Sequence, residues 1–597
     1  MTASPALHPL DHESPATRPT LRLWPAVVIV ALLWAFLLIS PRVEIPMFYR
    51  FLAQMAVLTV VLLAYLAWWL TRRRVSRGER WLAVGAVVVA AVVTMVLGHK
   101  SMGIMPIFGG LPWLLTGWVA WLLITRALPA DAPRPGLRRA GMLVIPFLAL
   151  GAFLLLRMDG LRGDGNPQFH WRWSRTAEDR FLAGGPASPV TTPATVPATR
   201  PTALVLRPGD WPAFRGPDRD GNVRGVRIAT DWDAHPPKKL WGQRVGPGWS
   251  SIAVVDGRAF TQEQRGESEV VVCRDAETGA VVWAHEDGGR FEESLSGAGP
   301  RATPTFDHGM LYTLGARGVL NCLDAADGRR AWSHDIAADA QAKVPDWGFC
   351  SSPLVVGGKV IVYAGGKSKK SLLAYDADTG SLAWAAPAGE WGYSSPHRAT
   401  INGVEQVLCL SDRGVTAVDP ADGSVLWEHV MAGSAPRSVQ PLPVGSNRVL
   451  ANFGLDSPTS LIEVPAAAPG APPRPAERWT SRNLKPSFND FVVHDGYAYG
   501  FDGSLFACVD LKDGSRKWKK GRYGAGQVLL LPDQPVLLVV SEQGEAVLVA
   551  ADPDQHVELG RFQAVTGKTW NHPAIAGGRL FVRSAEEMAS YELRPAP

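Results

Sequence analysis

Residues 372–384 read LLAYDADTGSLAW: an apolar run, an Asp, a Thr-Gly pair and a Trp. The same order returns as VVCRDAETGAVVW to Trp283, LNCLDAADGRRAW to Trp332, VTAVDPADGSVLW to Trp427 and FACVDLKDGSRKW to Trp518. The spacing is constant across Asp275, Gly279, Trp283; Asp324, Gly328, Trp332; Asp376, Gly380, Trp384; Asp419, Gly423, Trp427; and Asp510, Gly514, Trp518. Each copy predicts a β-hairpin: a strand ends at the Asp, an Asp-initiated turn closes on a Gly at positive φ, and the next strand carries the Trp. Successive Trp residues from 283 to 427 lie 49, 52 and 43 residues apart, the length of one four-stranded propeller blade. One such sheet cannot bury both apolar faces, whereas a ring of sheets can.

Weaker copies complete the count. Trp479 follows a Pro-rich insertion at 465–476, and VLVAADPDQHVELGRF to Phe562 is a copy without its Gly and Trp. The stretch 572–593 supplies inner strands but no Trp strand, while Trp241 sits on a strand with no partner before it. Joining the two closes the ring and removes the sheet edges. Blades are therefore expected near 250–286, 300–335, 351–388, 395–430, 439–481, 487–520, 525–563, and 572–593 with 238–245, making an all-β eight-bladed propeller over 210–597.

At 597 residues the chain holds more than one domain, and residues 23–156 are overwhelmingly apolar. Five spans are expected at about 23–40, 48–70, 81–98, 108–125 and 140–156, an α-helical transmembrane bundle after a cytoplasmic tail at 1–22. Arg72, Arg73, Arg74, Arg77 and Arg80 fill one loop and Arg126, Arg134, Arg138 and Arg139 another, so the positive-inside rule places both loops and the N-terminus in the cytoplasm. Everything after residue 156 then lies across the membrane. Trp24, Trp68, Trp69, Trp81 and Trp113 are placed as interfacial anchors. No span carries a charge at its middle, which argues against a pump or channel. Residues 157–209 comprise a juxtamembrane piece, FHWRWSRTAEDRFL, expected as a short interfacial helix, and a Pro/Thr/Ala-rich spacer.

The net charge of +5 is modest and no strand or helix interleaves a basic stripe with aromatics, which argues against nucleic acid. Five cysteines without CxxC make neither a disulfide framework nor a zinc site, and no metal-ligand set is assigned. Cys273, Cys322 and Cys508 share one place in their repeats, that of a small buried strand residue. The opening DWPAFRGPDRDGN carries Asp218, Asp220 and Asn222, but Val223 replaces the Gly of a calcium loop, so it reads as a turn-rich lead-in.

The repeat Asp and Trp residues are structural by their recurrence. The chemical candidates are instead the residues that open the inner strands and face the central channel. These are Trp249, Ser250 and Ser251; Arg301; Ser351 and Ser352; Ser394, Ser395, His397 and Arg398; Asn489 and Asp490; and Trp570, Asn571 and His572.

The AxDxxTGxxxW pattern resembles the quinoprotein (PQQ) repeat. That repeat marks both the PQQ-dependent dehydrogenases and the PQQ-like propellers without known cofactor, a group that includes the barrel-assembly factor BamB. WPAFRGPDRDG, GPRATP, YSSP and WNHP resemble the second group. Five spans before a propeller also resemble membrane-bound PQQ glucose dehydrogenase, but the propeller region is shorter and no Cys-Cys pair is present. The first resemblance implies a binding or scaffold module on the periplasmic face of a bacterial inner membrane, meeting membrane lipid and envelope proteins or peptides, or a small ligand. The alternative is a quinone-coupled PQQ dehydrogenase of an alcohol or sugar. Under it, Asn489 and Asp490 would serve as calcium ligand and general base, with Arg301 or Arg398 on the quinone oxygens of PQQ.

Overall fold

A computed structural model of the chain describes residues 22–43, 47–71, 75–128, 134–163, 165–184, 203–367, 369–433 and 435–596. The expected tail, apart from its last residue, the Arg72–Arg74 run and most of the Pro/Thr/Ala-rich spacer lie outside them. The described residues form two compact units, the helices with Phe169–Trp173 and the propeller with Met158–Gln168.

Eight four-stranded antiparallel sheets make the propeller, over residues 253–288, 305–335, 354–386, 397–430, 442–481, 492–522, 527–563, and 574–592 with 238–244. The last is the shared blade, in which Lys238–Arg244 pairs with Glu587–Glu592 as the outer strand. The hairpin grammar has a concrete cause. Opposite each motif Trp stands a small residue: Cys273, Cys322, Ala374, Ala417 and Cys508, each followed by a register shift. The Asp carboxylate then accepts N–H groups of its own turn, as Asp275 does from Glu277 and Thr278. The Gly closes that turn at φ of 72–75°.

The Trp and the Gly meet across blades. Trp283 Nε1 donates to Ala325 O, Trp332 to Ala377 O, Trp384 to Pro420 O and Trp479 to Leu511 O, at 2.9–3.1 Å. Each ring lies on the turn glycine of the receiving blade, so that a Cβ on Gly380 would stand 2.8 Å from Trp332. The motif is therefore a stitch from one blade to the next. Burying one Trp contributes roughly 4–6 kcal/mol of transfer free energy at most. Trp241, on the N-terminal outer strand, makes the same stitch to Ala276 and Gly279 and locks the ring shut. Trp427 departs from the pattern. The fifth blade has its Pro-rich insertion where the turn should be, and Trp427 donates to Gln406 within its own sheet.

The strand Arg516–Arg522 corrects one expectation, for it holds five basic residues beside Trp518. That Trp is directed into the blade junction and donates to Asp552 O, so it is not presented with the cations.

The helical unit comprises α1 (Trp24–Ile39), α2 (Met47–Leu70), α3 (Arg77–Leu97), α4 (Met105–Ala127) and α5 (Arg134–Gly151). Among the described residues four helices are long and apolar enough to cross a membrane, whereas α1, at 16 residues, is shorter than its expected span. Glycines let α4 and α5 approach, since a Cβ on Gly117 would stand 2.9 Å from Ile145. Trp24, Trp81 and Trp113 are exposed, as anchors require. Trp68 and Trp69 are not; they pack with Tyr65 and Trp118 inside the bundle. Glu79, in the first turn of α3, is buried between Arg138 and Arg139 at 2.6 and 2.9 Å. A buried carboxylate is tolerated there because both partners donate to it.

Candidate functional site

The inner strands open at one end of the channel and finish at the other. Two residues before each strand, one position recurs around the ring: Ser251, Thr303, Ser352, Ser395, Gln440, Asp490, Ala525 and His572. This position bonds blade to blade. Ser251 N–H donates to Thr303 Oγ1, Thr303 N–H to Ser352 Oγ, Ser352 N–H to Ser395 Oγ and Gln440 N–H to Asp490 Oδ1, at 2.7–3.1 Å. Neighbouring side chains bridge the remaining junctions: Ser394 Oγ to Val439 O, Asn489 Nδ2 to Gly526 O, Gln527 Nε2 to Trp570 O, and Asn571 Nδ2 to Ser250 O. All eight junctions are bonded. Most of the polar residues expected at the channel are thus hydrogen-bonded seams between blades, as buried polar groups require.

The centre is occupied by a segment whose role sequence reading missed. Residues 210–222 enter where the inner strands finish, with Asp210 accepting from Asp256 N–H and Trp211 paired with Val254. They carry Phe214, Arg215 and Arg219 inward. The Arg215 guanidinium is fully buried, donates to Phe491 O at 2.6 Å and lies 3.7 Å from Asp490 Oδ1. Arg219 donates to Pro353 O and Ser352 O at 2.8 and 3.1 Å. His572 Nε2 stands 3.2 Å from Asp490 Oδ2, and its ring meets Phe214 edge-on. Asp218 and Asp220 pair with the Arg224 guanidinium.

Electrostatics follow from burial. Desolvation pushes Asp490 up, but Arg215 and His572 outweigh it and the carboxyl ends below its ordinary value. Burial, then Arg219 and Arg215, push His397 down to about 3, so it is neutral. Burial lowers His572 as well, against the pull of Asp490. Arg219 is brought to about 9 by burial and by Arg215.

The mouth where the inner strands open is aromatic. Trp249 and Trp570 lie 4.8 Å apart, Phe488 packs on Trp570 at 4.7 Å, and Lys568 Nζ stands 4.1 Å over Trp570. Glu542 accepts from Trp570 Nε1 at 2.9 Å. Arg301 lies over Phe291 and donates to Ser296 Oγ. Lys568, Glu542 and Phe488 complete this mouth and were missed, because they stand in irregular loops outside the repeat grammar.

The candidates therefore separate. Trp249, Arg301 and Trp570 are at the mouth; Ser250, Ser395, Asn489, Asp490, Asn571 and His572 are in the seam; His397 is buried beside it. Arg398, the next residue on the same strand, turns outward, is exposed and pairs with Glu405, so it joins neither group. The juxtamembrane piece also differs from expectation. Its helix, α6 (Ala177–Leu182), is six residues long, and Phe181 packs under Arg265 of the first blade.

A family model described as outer membrane protein assembly factor BamB matches residues 227–344 and 267–520. The quinohemoprotein alcohol dehydrogenase ADH-IIG of Pseudomonas putida is 30% identical over 223 residues, 34% of this chain. The matched part spans 29% of that enzyme's length. Among solved structures, BamB from Moraxella catarrhalis is 15% identical, covering 60% of this chain and 100% of that one, with a TM-score of 0.43. The structure of ADH-IIG is 14% identical, covering 66% and 82%, with a TM-score of 0.39.

Proposed function

We propose, for a chain whose propeller belongs with the PQQ-like repeat propellers, that it is a membrane-anchored binding or scaffold module held on the periplasmic face of a bacterial inner membrane. Its mouth and blade edges would meet envelope proteins or peptides. The apolar helices support the anchor, and the BamB family model supports the protein-partner class.

The observation that carries this choice is the state of Asp490. It is the one carboxylate among the candidates; it accepts from Gln440 N–H at 2.7 Å and is charge-paired with His572 Nε2 at 3.2 Å and Arg215 at 3.7 Å. A general base needs a free lone pair facing a substrate, whereas this one faces the interior of a buried network. The pair Asn489–Asp490 does not fit calcium either. Asn489 Oδ1 accepts from Ser487 N–H, and a guanidinium occupies the position beside Asp490 where further oxygen ligands would have to converge.

The similarity to ADH-IIG favours a second reading, a quinone-coupled PQQ dehydrogenase. Purified full-length protein supplied with PQQ and Ca²⁺ separates the two. The binding reading expects neither a stoichiometric chromophore nor dye reduction across a panel of alcohols and aldoses. Bound chromophore with turnover would establish the dehydrogenase instead.

A further inference from the structure

The segment Met158–Gln168 packs with the propeller, and it lies on the aromatic mouth. Leu161 N–H donates to Leu295 O at 2.7 Å, Lys568 Nζ donates to Leu161 O at 3.0 Å, and Gly163 N–H donates to Glu542 Oε1 at 2.5 Å. All three bonds go to the backbone of the strap. The two charged groups that hold it are prepared for this. Glu542 is only 5% exposed and is fixed by Trp570 Nε1. Lys568 is fixed above Trp570 and Trp249. Two glycines allow the close approach. Gly160 sits at φ +105°, where a Cβ would stand 2.7 Å from Leu295 O, and a Cβ on Gly163 would collide with Ala525 Cβ.

We propose that this mouth is a groove for an extended, glycine-containing peptide, and that the chain's own strap occupies it until such a peptide displaces it. The proposal rests on the binding reading above and names the class of partner. A groove that grips N–H and C=O groups gives affinity from the main chain and selects by the room left for side chains. Here that room is nil opposite Ala525, so glycine is required at that place. The strap is tethered and therefore present at an effective concentration in the millimolar range. An outside peptide should bind weakly until the strap is dislodged.

The test uses the full chain in detergent and a fluorescein-labelled peptide of residues 158–168, MDGLRGDGNPQ. Gly163→Val should expel the strap, raise amide exchange over residues 158–163 and tighten peptide binding tenfold or more. Leu161→Pro, which removes the N–H given to Leu295, should do the same by a second route. Adding Glu542→Gln to either variant should return binding to the weak level, with blade amides protected throughout. A strap that stays protected in both variants, binding no tighter than in the parent, or binding indifferent to Glu542→Gln would each overturn the proposal. PQQ-dependent turnover would remove the binding reading while leaving this exchange result intact, so the two failures are distinguishable.

Discussion

At the scale of the residue, two features make sharp demands. Gly380 holds φ +74° beneath the Trp332 ring. Gly380→Val must adopt a left-handed backbone and push the indole away, and it should cost roughly 2–5 kcal/mol, read as a lower denaturant midpoint. The buried histidines set a pH dependence. His397 has a folded value of about 3 against 6.5 in the unfolded chain, and His572 is also lowered. The neutral burial of His397 contributes fully above pH 6.5 and is lost as pH falls from 6.5 toward 3, by at most ~1.4 kcal/mol per pH unit, and His572 adds a loss in the same direction below pH 6.5. Melting temperature should therefore fall on acidification below pH 6.5, and His397→Gln should flatten the fall. The Asp, Gly and Trp of the repeat were legible because they act within a hairpin and its neighbour. Arg215 and Arg219 were not, because their partners Phe491 and Pro353 lie 276 and 134 residues away.

Among elements, the seventh blade lacks the Trp itself and has Phe562 in its place, whereas the junction of the fourth and fifth blades lacks the stitch although its Trp is present. The seam there is made by Ser394 and Gln440, but the Trp stitch is missing because the receiving turn has become the Pro-rich insertion. Amides of the outer strand Val425–Val430 should exchange faster than those of Arg330–Asp335, whose Trp332 is stitched to Ala377. Equal protection by hydrogen-exchange mass spectrometry would mean that the stitch contributes little. The insertion was visible in the sequence as a degenerate copy, but its energetic meaning needed the partner blade. The juxtamembrane helix is held by a contact that composition does not announce. Trp171 and Trp173 suit a lipid interface, yet Glu178 forms a bidentate pair with Arg290 at 2.9 Å.

At the scale of the whole molecule, the ring closes through one non-covalent strand. The sequence showed this as a Trp strand without a sheet at one end and a sheet without a Trp strand at the other. Trp241→Ala removes both the packing on Gly279 and the bond to Ala276, and should cost about 3–5 kcal/mol. Exchange should rise over both Lys238–Arg244 and Glu587–Glu592 together. The polar heart of this ring is architecture, with the buried Arg215 guanidinium charge-paired with Asp490 at 3.7 Å. A double-mutant cycle on these two residues, followed by chemical denaturation of the full chain, tests it most directly. Asp490→Asn and Arg215→Met should each destabilise by about 3–5 kcal/mol, and the double variant should recover about 2 kcal/mol or more of the sum. Additive losses, or an Asp490→Asn protein as stable as the parent, would contradict the account.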